Sequence, residues 1–115
     1  MMLKQGRRLL TPSPPLGNMK NDLLQSSRDR LAANLRTARS IHSWSQEELG
    51  LECGLKRTYV GALERREVNP GIDNLDKLAL GIGVVSHVLL MSPDTAYGSI
   101  YAAFKLVAPS VREAT

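Results

Sequence analysis

Cysteine is almost absent from this chain of 115 residues: Cys53 stands alone, which excludes an internal disulfide and fits a reducing compartment. Long hydrophobic runs are missing as well. No segment approaches the roughly 20 apolar residues of a membrane-spanning helix, and the N-terminal stretch lacks the uninterrupted apolar core of a secretory signal. The expectation is a cytoplasmic protein with no membrane partner. The two histidines, His42 and His87, are isolated, with no cysteine or carboxylate at ligand spacing, and so argue against a metal site. No pattern pairs a nucleophile with a general base or cradles a phosphate in glycines. Neither an enzyme activity nor a cofactor is expected.

Charge is only mildly unbalanced. The formal net charge of +4 favours an acidic partner such as nucleic acid without requiring one. Lys4, Arg7, Arg8 and Lys20 against Asp22 place +3 of that excess before residue 26, so the remainder of the chain is close to neutral.

Three regions differ in pattern. Residues 1–21 include TPSPPLGN, whose prolines and scattered basic neighbours cannot sustain a helix or bury a core, and they are read as a flexible basic arm. Residues 27–92 carry apolar residues at helical spacing in short blocks separated by turn signals, and form the domain. Residues 93–115 contain TAYGSIYAAFKLVA, which aligns Tyr97, Ile100, Tyr101, Phe104 and Val107 on one face of an extra C-terminal helix. Aromatics are few, with one Trp, three Tyr and one Phe in the whole chain. Their concentration in this tail predicts a buried face, covered by the chain's own domain or by a second copy.

The lone tryptophan marks a helix start. In WSQEEL, Ser45 as N-cap puts Glu48 at the third helical position, a capping box in which each side chain satisfies the other's exposed backbone N–H. Trp44 and Leu49 then occupy the two positions of a hydrophobic staple. The helix is short, since Gly54 suits a left-handed C-terminal turn. A second helix follows in KRTYVGALERR, with Val60 and Leu63 on one side and Arg57, Thr58, Gly61, Ala62 and Arg65 on the other. Gly50 inside the first helix costs roughly 1 kcal/mol relative to Ala, which suggests that the second crosses close by. A small residue, a glycine four positions on, and apolar residues six and nine beyond it form the spacing of a DNA-binding helix-turn-helix.

The combination resembles the phage-repressor-like helix-turn-helix family of the Cro/repressor, or xenobiotic-response-element, type. The residues that carry it run from Leu35 to Leu90: LRTAR, WSQEEL, CGLKRTYVGALERR, NPGIDNLDKLALGIGV and VLL. The resemblance implies an all-α, five-helix repressor-like bundle whose third helix enters the major groove of double-stranded DNA. It implies a core of Leu31, Leu35 and Ala38 from helix one and Ile72, Leu75, Leu78, Ala79 and Ile82 from helix four, closed by Val88 and Leu89. Gln46, at the start of helix two, matches a phosphate contact, as a helix N-terminus suits an anion. Arg57, Thr58, Gly61 and Ala62 match the base-facing positions, and Arg39 and Glu64 match an internal salt bridge.

The chain departs from the family at two points. Lys56 stands where a capping Ser, Thr or Asp is usual; it caps poorly and is assigned to a phosphate. Arg66 stands where glycine is usual, and because a left-handed non-glycine residue costs about 1 kcal/mol or more, a differently shaped loop is expected. Arg65 and Arg66 are assigned to phosphates rather than to solvated surface. Gly61 and Ala62 offer no donor or acceptor, so direct readout rests on Arg57 and Thr58. Cys53 is read as a small buried hydrophobe, and Asp73 and Asp76 as dipole and surface charges.

The implied function is a sequence-specific, DNA-binding transcriptional regulator acting as a homodimer. RTYVGALERREVNP is also close to what restriction-modification controllers carry. The same fold serves antitoxins, in which the segment after Pro93 would bind a protein partner, and interaction modules that have lost DNA binding. Sequence alone leaves these classes open.

Overall fold

Pro15 is the last proline before Pro70, and the first helix begins at the residue after it. The structure is a computed structural model that describes residues 16–114, with side chains described over 27–106. Its elements are α1 (Leu16–His42), α2 (Gln46–Cys53), α3 (Arg57–Glu64), α4 (Gly71–Ile82), a short 3-10 helix (Ser86–Leu90) and α5 (Pro93–Ala114). No strand occurs among the described residues. The expected arm is thus shortened: the backbone of residues 16–21 belongs to α1, because past Pro15 nothing forbids the helical dihedrals. Residues 1–15 lie outside the described residues.

Helical spacing on α1 buries Leu31, Ala32, Leu35 and Ala38. Against them pack Leu49 and Cys53 of α2, Val60 and Leu63 of α3, Leu78, Ala79 and Ile82 of α4, and Val88 and Leu89 of the 3-10 helix. Full burial of each Leu, Ile or Val contributes about 1.5–3 kcal/mol, so this shared core holds the short helices that could not persist alone. α1 is the central element, touching α3, the 3-10 helix and α5, while α2 packs on α3 and α4. Asn34, fully buried, donates from Nδ2 to the carbonyls of Leu89 (2.9 Å) and Met91 (3.0 Å) and so pins the chain leaving the 3-10 helix onto α1.

Two core expectations are corrected. Ile72 is 76% exposed, because it lies in the first turn of α4, at the rim of an open groove shared with Ser27, Leu31, Leu75 and Leu90. On α5 the inward stripe is Ala96 and Ile100, while Tyr97 (52% exposed) and Tyr101 (43%) remain outside. A small residue at 96 lets α5 lie close to the domain, and the tyrosines one position further round the helix then point away from it. Phe104 is partly buried, its ring edge-on to His42 at 5.1 Å; the side chain of Val107 lies outside the described residues.

Candidate nucleic-acid interface

The turn between α2 and α3 is built as its sequence requires. Ser45 Oγ accepts from the Glu48 N–H (3.0 Å) and Glu48 Oε1 accepts from the Ser45 N–H (2.8 Å), closing the capping box. Trp44, beside it, stacks on His42 with ring centroids 3.9 Å apart. Burial holds the His42 imidazole below its ordinary pKa, an effect partly opposed by Glu52. At the other end Gly54 adopts φ +72°, and the Leu55 N–H returns to the Gly50 carbonyl. A Cβ at Gly50 would collide with the carbonyl of Leu55, so the close neighbour that demands a small residue is the turn itself. Cys53 is buried, and its thiol is pushed up to about 11 by desolvation, as befits a packed rather than a reactive sulfur.

With Val60 and Leu63 inside, α3 turns Arg57 and Thr58 to the surface. Gln46, Arg57, Thr58, Gly61 and Arg65 line one shallow depression of about 180 Å³. Gly61 is not the open floor that its lack of a side chain suggests. It is buried beneath the side chains of Arg65 and Gln46, whose Nη1 and Oε1 lie 3.1 and 3.4 Å from where a Cβ would project. Ala62 is half-buried at the edge of this surface, and Lys56 is exposed at the N-cap of α3 with no capping hydrogen bond from its side chain.

Behind the surface lies an inward-facing carboxylate. Glu64, only 2% exposed, receives Arg39 through both oxygens, from Nε at 2.7 Å and Nη2 at 2.9 Å. The same carboxylate accepts from Gln46 Nε2 at 3.2 Å, and Arg36 donates to the Glu64 backbone carbonyl. The hydrogen bond to Glu64 raises the Arg39 pKa further, against desolvation. One carboxylate therefore joins α1, α2 and α3. The Gln46 and Arg36 contacts were not foreseen; the one available signal was Arg36 lying one turn before Arg39 on the same helix.

Both arginines that follow α3 have acidic partners. Arg65 donates to Glu67 from Nε (2.9 Å) and Nη2 (3.1 Å), which raises the arginine and lowers the carboxylate from their ordinary pKa values. Arg66 pairs with Asp29 of α1 at 3.0 Å. The loop expected to change shape at Arg66 keeps the left-handed form instead: φ is +61°, and the N–H groups of Arg66 and Glu67 return to the carbonyls of Leu63 (3.0 Å) and Ala62 (2.9 Å). These two bonds close a Schellman turn, which offsets the strain of a non-glycine residue there.

A helix-turn-helix family model matches residues 35–90. A Neisseria meningitidis protein named as a hypothetical transcription factor is 46% identical over 69 residues, covering 60% of this chain and 65% of that protein. The crystal structure of the hypothetical transcription factor NHTF from Neisseria matches with a TM-score of 0.58 at 46% identity, covering 61% of this chain and 80% of that one. The chain belongs to the helix-turn-helix family. Two control proteins are also similar to it: C.SmaI of Serratia marcescens, 47% identical over 43% of this chain, and C.BamHI of Bacillus amyloliquefaciens, 44% identical over 44%. The match spans less than two thirds of the length of each of these curated relatives. No described helix is long and apolar enough to cross a membrane.

Proposed function

We propose that this chain is a sequence-specific transcriptional regulator that works in the cytoplasm as a homodimer and reads the major groove with α3. The observation that carries the reading is the convergence of Gln46, Arg57, Thr58, Gly61 and Arg65 on one depression. In this arrangement Arg57 and Thr58 meet base edges, with Arg57 suited to a bidentate contact to guanine. Gln46, Lys56, Arg65 and Arg66 meet phosphates, and Gly61 and Ala62 allow close approach. With few direct readers, part of the specificity comes from DNA shape.

Selection of bound sites from a random duplex pool tests this. A two-fold symmetric site is expected, with half-sites about one helical turn or a multiple of it apart. Arg57→Ala should cost about 1–3 kcal/mol on that site and relax one base pair per half-site, whereas Arg65→Ala should weaken specific and non-specific DNA alike. A consensus left unchanged by Arg57→Ala but altered by Arg65→Ala would show that the recognition helix is wrongly placed. The 44–47% identity to two control proteins favours a narrower second reading, a controller of restriction-modification genes. A selected site lying beside a nuclease and methyltransferase gene pair would support it.

A further inference from the structure

Among the basic side chains around the depression, Arg65 is already neutralised. It presents Nε and Nη2 to the two oxygens of Glu67 at 2.9 and 3.1 Å, the parallel fork that an arginine also offers to a phosphate. Its remaining Nη1 lies over Gly61, inside the depression. Lys56 and Arg57, on the same surface, have no ion pair among the described residues. The pair is open to exchange, since the two side chains are 59% and 55% exposed and such pairs hold weakly.

We propose that Glu67 is an internal competitor for Arg65, occupying the fork that a DNA phosphate would take, so that Arg65 engages DNA only by giving up that pair. The inference rests on the reading of α3 as the DNA-facing element. Its physical consequence is specific. When a phosphate displaces Glu67, the freed carboxylate gathers a cation and cancels about one of the counterions released from the DNA. The exchange is the same on specific and non-specific DNA, because any duplex offers a phosphate to the fork.

The test is a double-mutant cycle of Glu67→Gln and Arg65→Ala in the full chain, with affinity for a random-sequence duplex measured across a salt series. Both positions are exposed, so folding is not at issue. Glu67→Gln is expected to tighten non-specific binding about three-fold and to steepen the salt dependence by up to about one ion. In the Arg65→Ala background the same change should have no effect. The proposal is overturned if the wild-type chain binds DNA and Glu67→Gln changes nothing. It is equally overturned if the gain persists without Arg65, since Glu67 then acts as a diffuse negative charge. Absence of duplex binding by the wild-type chain on both random and selected DNA would instead refute the DNA-reading assignment, and this proposal with it.

Discussion

A Cβ added at Gly50 would run into the backbone carbonyl of Leu55, whereas one added at Gly61 would meet only the ends of two flexible side chains, Arg65 and Gln46. Backbone cannot retreat without reshaping the turn, so Gly50→Ala should destabilise the chain by about 1–3 kcal/mol in chemical denaturation. Side-chain tips can move. Gly61→Ala should therefore stabilise the fold by up to about 1 kcal/mol through helix propensity, while displacing Arg65 and weakening DNA binding several-fold. A loss of stability at both positions would contradict this account. The sequence marked both glycines as notable but not this difference, because the obstacle at each comes from residues folded over it. Ser45, Glu48 and Gly54 were legible for the opposite reason: a cap acts on neighbours within four residues, where spacing alone decides geometry.

At the level of elements, the Arg39–Glu64 pair fastens α1 to α3, and Gln46 adds α2 to the same carboxylate. Removing Arg39 strands a carboxylate that is almost wholly buried. Arg39→Ala should cost about 3 kcal/mol, and replacing both partners with apolar residues should cost less; strict additivity in the cycle would mean that the pair does not act as a unit. This contact was readable only through family resemblance, since residues 25 apart give no local signal. The Arg66–Asp29 pair, across a longer separation, had no such guide. His42 joins the end of α1 to Trp44 before α2 and to Phe104 on α5. Its folded pKa is lowered, so the unfolded chain takes up the proton first as pH falls. Stability should be full above the ordinary histidine value near 6.5 and should decline as pH drops from there toward the folded value. His42→Gln should flatten that part of a stability-against-pH profile.

For the whole molecule, the open question in the sequence was what the aromatic tail packs against. The chain itself accepts Ala96, Ile100 and part of Phe104, and leaves Tyr97 and Tyr101 stacked on each other in solvent, ring centroids 6.0 Å apart. Helical periodicity found the face but misjudged its centre, since it weighs large apolar side chains above the small residue that permits close approach. If a second copy covers the tyrosines, replacing both with serine should shift sedimentation toward monomer while leaving the monomer's thermal midpoint nearly unchanged. An unchanged dimer would reject this surface as the interface. A last consequence concerns α3, whose Val60, Leu63 and Glu64 serve the core while Arg57 and Thr58 serve none of it. Substitutions on that outer edge should leave folding free energy almost untouched, so the surface that α3 presents can change without the helix first losing its shape. Its eight residues carry two nearly independent sets of constraints, one imposed by packing and one by whatever its outer edge meets.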